Sequence, residues 1–287
     1  MGTLYVVGTP IGNLEDITLR ALRVLKEVSL IAAEDTRAAR VLLQRYDLHT
    51  PLMPYTDAYM RGKGEKIAAV LAALAQGDVA LISEAGMPGL SDPGYELIRA
   101  ALEAGHTVTP VPGPSALTAA LAISGLPTDR DLYVGFLPRR AADRRRLLRS
   151  VAHEAATLVA FEAPHRLRET LSDLAEVLGA ARPLVIAREL TKLHEEIWRG
   201  TVDEAQAHFA AIEPRGEFTL VIGGATESHE RARQEEQAQK VLRALLAEGL
   251  SPSLAARVAA RLTGLPRRTL YAWAMDMETT YKGEQDG

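Results

Sequence analysis

The feature that most constrains this chain is how the strands of its first half end. Short apolar runs at residues 4–7, 30–33, 79–83 and 106–111 read as strands. Between them, residues 18–28, 67–75 and 95–103 place apolar side chains at helical spacing. Alternation of this kind predicts a largely parallel sheet with helices on both faces. Ligands of such sheets bind beyond the carboxyl ends of the strands. Three of those ends run into stiff, irregular loops: Gly8-Thr9-Pro10-Ile11-Gly12-Asn13, the twelve residues from Ser83 to Gly94, and Val111-Pro112-Gly113-Pro114-Ser115-Ala116-Leu117. Glycine lets a ligand approach the backbone, and proline stiffens the wall. The first loop is neither a dinucleotide fingerprint nor a P-loop. Each loop alone is also readable as a tight turn, an Ω-loop or a helix cap. Together they outline one pocket built mostly from backbone.

The pattern breaks at residues 125–129, and a second unit follows. Its strands are expected at 132–136, 157–161, 184–187, 195–199 and 218–222, and its helices at 141–152, 165–178 and 202–212. Some of these strands are joined by short connections, which predicts a mixed sheet. Residues 225–239 are polar and read as a linker running into a helix. Helical patterns at 241–246, 252–262 and 267–275 follow, the last two separated by Gly264-Leu265-Pro266, a helix-turn-helix signature. The expected organisation is two α/β domains, 1–125 and 126–225, then a linker and a small helical domain over 226–287, with a frayed end from Lys282. With 287 residues, a chain this long has room for two or more domains.

Composition removes several chemistries. The chain has no cysteine, which excludes disulfides, thiol catalysis and iron–sulfur clusters. Its seven histidines are scattered without metal-ligand spacing, so no metal is expected. No apolar run approaches the ~20 residues of a membrane helix, and no basic leader precedes the first strand, so a cytoplasmic protein is expected. Net charge is −4, yet 27 of the 33 basic residues are Arg, whose planar fork suits phosphate. The same bias also arises from base composition of the genome. Arginines crowd 139–149, including Arg139, Arg140 and Arg144. Between Lys240 and Arg268 six basic residues, Arg267 among them, face one acid. Both are candidate electrostatic footprints for nucleic acid.

Charged groups at the remaining strand ends are candidates for proton transfer or phosphate binding. Ala33-Glu34-Asp35-Thr36-Arg37 either orients a substrate group or caps a helix. Phe161-Glu162-Ala163-Pro164-His165-Arg166 holds an imidazole that titrates near neutrality, or a structural one. The run from Arg188 to Glu196 is either a solvated face or a cleft wall; Glu189 and Lys192 are its candidates. No Ser-His-Asp set has a nucleophile-elbow context.

Taken in order, Gly8–Leu14, Ala33–Arg37, Glu84–Gly94, Pro112–Ala116, Glu162–Arg166 and Arg188–Glu196 resemble the ribosomal RNA small subunit methyltransferase I family of the tetrapyrrole methylases. The likeness covers nearly the whole chain. It implies two α/β domains with a cleft between them, S-adenosylmethionine as cofactor, and a homodimer. The implied reaction methylates the ribose 2′-hydroxyl of a cytidine in the decoding region of 16S ribosomal RNA, free or in the 30S subunit. By family pattern the cofactor contacts map to Pro10, Ile11, Ala85, Gly86, Met87, Leu90, Ser115, Ala116, Glu162 and Leu190. Met87 stands where relatives often carry a hydroxyl, so backbone contacts are expected there. A 2′-hydroxyl needs a proton acceptor, for which Glu34, Asp35, His165 and Glu189 stay open. Arg37, Arg139, Arg140, Arg144, Arg166, Lys192, Arg267 and Arg268 are the candidate RNA contacts. Two other readings share the sequence: a methylase of a small molecule or protein residue, and a helix-turn-helix regulator with a ligand-sensing front half.

Overall fold

Side chains leave the first sheet alternately to either face, and this period of two builds both of its cores. The computed structural model describes residues 2–55 and 63–283; of the end expected to fray from Lys282, residues 284–287 lie outside them, while Lys282 and Gly283 are helical. The first domain runs β1 (Thr3–Val7), α1 (Leu19–Glu27), β2 (Leu30–Ala33), α2 (Thr36–Arg45), β3 (Leu52–Pro54), α3 (Lys63–Leu74), β4 (Val79–Ile82), α4 (Tyr95–Glu103) and β5 (Thr107–Val111). The strand order is β3-β2-β4-β1-β5 and every pair is parallel. From β4, Val79 and Leu81 pack with Leu74 of α3 and Leu97 of α4. Ala80 and Ile82 pack with Leu25 of α1 and Leu42 of α2 on the other side. No expected strand covers β3, an edge strand of three residues. Of α2 the sequence marks only the cap, which Asp35 provides to the amides of Arg37 and Ala38.

The three Gly/Pro-rich loops are locked to each other through backbone. Thr9 and Gly86 exchange both amide hydrogen bonds, at 2.9 and 3.0 Å. Gly8 and Gly113 lie back to back: a Cβ on Gly8 would stand 2.7 Å from the Gly113 Cα. Only two residues without side chains pack this closely.

After the third loop comes α5 (Ala116–Ser124), within the segment expected as the first domain, and then β6 (Asp131–Phe136), α6 (Ala141–Ser150), β7 (Thr157–Glu162), α7 (Leu167–Leu178), β8 (Pro183–Arg188), β9 (Glu196–Thr201), α8 (Val202–Ala211) and β10 (Phe218–Ile222) make up the second domain. Its sheet, β6-β7-β10-β8-β9, is mixed: only β6 and β7 are parallel. One face holds the larger core, with Leu148, Leu171, Leu174 and Phe209 against Leu158, Leu184 and Leu220. On the other face lies α5, whose Ala120 packs with Val159, Val185 and Val221. Gly125, left-handed at φ 77°, ends α5. The helix that follows the third loop therefore roofs the second sheet, and so couples the loops to it. Arg199 of β9 adds hydrogen bonds to the carbonyls of Ile123 and Ser124. Pro164 opens a 3₁₀ turn over Pro164–Arg166, so α7 starts two residues later than the spacing predicts.

The polar stretch expected as a linker running into a helix is helical from Glu227, and it is continuous with the next pattern as α9 (Glu227–Ala247). Glu, Gln, Arg and Ala are strong helix formers, and Ala238 and Leu242 of this helix are buried against α10 (Pro252–Thr263) and α11 (Arg267–Gly283). Gly264 makes the left-handed turn between the last two.

Arg144, read from sequence as an RNA contact, is inside the second domain with its side chain 1% exposed. It pairs with the buried Asp173 at 2.6 Å, reaches Glu169 at 3.6 Å and donates to the Pro138 carbonyl at 3.4 Å. It faces inward on α6 beside Leu148, so an exposed-arginine reading of the whole run fails at this position.

Arg145 still reaches Asp173 at 2.9 Å when Arg144 is removed, but one buried carboxylate oxygen loses its donor, so Arg144→Ala is expected to cost ~1–3 kcal/mol in urea unfolding. Gly113→Ala is expected to cost ~1–3 kcal/mol by overpacking. It is also expected to weaken ligand binding in the cleft, measured by calorimetry, because the new methyl separates two loops.

Candidate active site

The loops of the first domain and the strand ends of the second face each other across a cleft of about 650 Å³. This lies within the ~300–1,000 Å³ usual for small-ligand sites. Each of the ten residues that the resemblance assigns to the cofactor lines it. Pro10 and Ile11 come from the loop after β1, and Ala85, Gly86, Met87 and Leu90 from that after β4. Ser115 and Ala116 open α5, while Glu162 and Leu190 follow β7 and β8. Gly86 has φ 76°, a conformation that glycine adopts without penalty. Ser115 sits at the N-cap of α5 but its hydroxyl makes no cap bond. The hydroxyl and the first amides of that helix are thus available at the cleft wall, with the favourable dipole for an anionic group. The two sides touch: Gly12 abuts Thr191 and Lys192, and the Asn13 amide donates to the Thr191 hydroxyl at 3.1 Å.

Of the four candidate proton acceptors, Glu34 lines the cleft and the other three do not. Glu34 accepts the Glu84 amide at 3.1 Å. Asp35 caps α2 and pairs with Arg37 at 3.0 Å; that guanidinium and its amide hold the carboxyl at about 2. His165 is exposed on the 3₁₀ turn. Glu189, at φ 51°, accepts Lys192 and the Glu217 amide, both at 2.9 Å. Burial pushes its carboxyl up, but the Lys192 ammonium outweighs this and holds it below its ordinary value.

Two groups in the cleft escaped the sequence reading. Asp92 lies in the second loop, and burial followed by the charge of Glu34 pushes it up to about 6, against a hydrogen bond from Ser83. Its signal was available in Ser91-Asp92-Pro93-Gly94, but a carboxylate in a turn-rich stretch reads as turn chemistry. Tyr133 on β6 reaches the Ser91 hydroxyl at 2.5 Å. Nothing in the sequence brings residue 133 to residue 91.

The candidate RNA contacts divide by exposure. Arg139, Arg140, Arg267 and Arg268 are exposed. Arg37 is exposed too, though paired with Asp35. Lys192 lines the cleft and is held by Glu189 and Glu217. Arg166 is 11% exposed and spans Glu162 (2.6 Å) and the Leu137 carbonyl (2.9 Å). Glu162 also accepts Thr170 and the Ala163 amide. Among the described residues, no group of three His, Asp or Glu is placed to hold a metal.

Comparison with known proteins gives the same outline. The profile described as Tetrapyrrole (Corrin/Porphyrin) Methylases matches residues 3–206, and that of the RsmI C-terminal HTH domain matches residues 232–278. The chain is 49% identical over 278 residues to the ribosomal RNA small subunit methyltransferase I of Synechocystis, covering 97% of this chain and 99% of that protein. The protein of the same name from Thermotoga maritima is 50% identical over 225 residues, 78% of this chain and 99% of its own length. Among solved structures, the methyltransferase CobJ superposes with a TM-score of 0.57 at 19% identity, over 78% of this chain and 95% of that one. Uroporphyrin-III C-methyltransferase from Thermus thermophilus, complexed with S-adenyl homocysteine, gives 0.54 at 24%, over 77% and 97%. With near full-length identity of this order, and with both of its segments matched, the chain belongs to the ribosomal RNA small subunit methyltransferase I family of the tetrapyrrole methylases.

Proposed function

We propose that this chain transfers a methyl group from S-adenosylmethionine to the ribose 2′-hydroxyl of a cytidine in the decoding region of 16S ribosomal RNA. The observation that carries the reading is the 49% identity to a ribosomal RNA small subunit methyltransferase I over almost the full length of both. The cleft supports it: its donor set suits a nucleoside that carries a sulfonium and an amino acid group. Ile11, Met87, Leu90, Leu117 and Leu190 offer apolar surface, and the opening of α5 offers free amides. Glu34, Glu84 and Asp92 place negative charge along one wall to face a cation. When bound, S-adenosylmethionine supplies a methyl already activated for transfer. The protein then has to position the acceptor hydroxyl and receive its proton.

In this reading Asp92 receives the proton and Glu34 tunes it. Asp92 is basic enough to act and still ionised at neutral pH, with its carboxyl at about 6. Glu189 and Lys192 brace the opposite wall through their mutual ion pair. The exposed arginines Arg139, Arg140, Arg267 and Arg268 hold phosphates, alone or with Arg37, and make affinity salt-sensitive. The reading includes a homodimer acting in the cytoplasm on naked RNA or on the 30S subunit. Among the described residues no helix is long and apolar enough to cross a membrane.

The experiment supplies labelled S-adenosylmethionine with undermethylated 30S subunits, naked 16S RNA, duplex DNA and a porphyrin precursor. Label is expected on a cytidine 2′-oxygen, and absence of label on every RNA would overturn the proposal. Asp92→Asn is expected to lower kcat by roughly 100-fold or more, the span of a lost general base. In the wild type, kcat/KM is expected to rise through about pH 6 and then level, because only ionised Asp92 accepts a proton. Glu34→Gln removes a like charge, so that limb moves to lower pH. An unchanged limb in this variant would detach Glu34 from Asp92. The raised value also means that ionising Asp92 works against the fold as pH climbs from about 4 to 6. Asp92→Asn should therefore gain stability over the wild type at pH 8 and not at pH 4, read by thermal melting.

A further inference from the structure

Phe136, at the end of β6, is large, aromatic and 56% exposed, and it lines the cleft. Its exposure is a consequence of backbone geometry. Tyr133 pairs with Val159 of β7, but the register then shifts, so that Gly135 pairs with Ala160 and Phe136 with Phe161. Val159 packs on the α5 side of the sheet. Phe161, two residues on, leaves the same face. In a regular strand, residues 133 and 136 point to opposite faces. The bulge inserts one residue and brings both onto the cleft side. Gly135 makes it possible, with φ 70° and a missing Cβ that would meet the Ser91 hydroxyl at 3.2 Å.

The ring so exposed is rigidly mounted. Phe136 meets Phe161 edge-on at 5.4 Å, Phe161 meets Tyr133 at 5.4 Å, and the Tyr133 hydroxyl is tied to Ser91. The segment after it is held by two arginines, Arg144 buried and Arg166 partly so. Arg166 binds the Leu137 carbonyl, and Arg144 binds that of Pro138. Directly beyond, Arg139 and Arg140 are exposed. An exposed aromatic ring at the mouth of a reaction cleft, followed within four residues by two exposed guanidinium groups, is the chemistry that grips one splayed nucleotide. The ring stacks its base and the arginines bind the flanking phosphates.

We infer that Phe136 is the platform on which the nucleobase of the RNA target stacks, presenting its ribose to the cleft. The inference rests on the RNA methyltransferase reading above. Stacking tolerates any base, so Phe136 positions the nucleotide without selecting it.

The test measures methylation of undermethylated 30S subunits by wild type, Phe136→Leu, Phe136→Ala, Phe136→Tyr and Phe136→Trp, with S-adenosylmethionine affinity by calorimetry and oligomeric state by sedimentation. Leu and Ala are expected to lose roughly 10- to 100-fold in kcat/KM, the range of one base–aromatic stack. Tyr and Trp are expected to recover most of it. Cofactor affinity, oligomeric state and melting temperature stay near those of the wild type. Full activity in Phe136→Leu overturns the platform, since leucine fills the space without a π face. So does an equal loss of cofactor affinity, which makes the ring a cofactor wall, or a change of oligomeric state, which makes it a contact between copies. A wild type that labels no RNA fails the broader reading and takes the platform with it. A wild type that labels RNA while Phe136→Leu does so equally well fails the platform alone.

Discussion

Everything at the cleft depends on three loops held together by their own backbone. The paired amides of Thr9 and Gly86 and the back-to-back glycines Gly8 and Gly113 turn three separate strand ends into one rigid wall. A parallel sheet leaves its strand ends about 5 Å apart, so loops that leave neighbouring strands must either splay or interlock. Here they interlock, and each extra atom at the contact is excluded. The wall presents peptide groups and small side chains at fixed positions, which suits a ligand that must be held in line for a transfer. Because α5 grows from the third loop and roofs the second sheet, the same lock sets where the opposite wall stands.

That opposite wall is fixed by charge instead of close backbone approach. Glu162 is 2% exposed and satisfied by Thr170, Arg166 and the Ala163 amide. Arg166 passes the restraint to the Leu137 carbonyl, and Arg144, paired with Asp173, does the same at Pro138. A buried ion pair is a weak source of net stability, yet it defines geometry because each group must find its partner. The result is a firm lip bearing Phe136, Arg139 and Arg140. Two arginines that looked like phosphate ligands hold up the segment from which other arginines project.

Much of the architecture was legible in the chain. Residues 95–103 and 218–222 emerge as α4 and β10 at the expected bounds, because their apolar periodicity is strong and their ends are marked by Gly or by polar residues. The ten expected cofactor positions share one cleft for a similar reason: each sits at a strand end or a helix start, where direction is set by the fold. The misses have physical causes. Residues 225–239 read as a linker running into a helix without showing where the helix begins, because a helix needs only a narrow apolar stripe, here supplied by Ala238 with Leu242. Arg144 sits in a run of like residues, and only its place on α6 decides that it points inward. Asp92 hides among turn residues, and its carboxyl is raised first by burial and then by the charge of Glu34, a neighbour 58 positions away in sequence.

What the sequence determined by itself is whatever short-range chemistry controls: the alternation of strands and helices, the stiff loops at strand ends, and the motif order that marks the family. Such features depend on steric preferences and periodicity within a few residues of each other. Tertiary structure alone decided which charged groups meet and which face the cleft. A carboxylate or guanidinium takes its role from what surrounds it, through burial, neighbouring charge and available donors. It also decided that a single inserted residue, Val134 just before Gly135, turns Phe136 outward, because register is a property of two strands and is written in neither one alone.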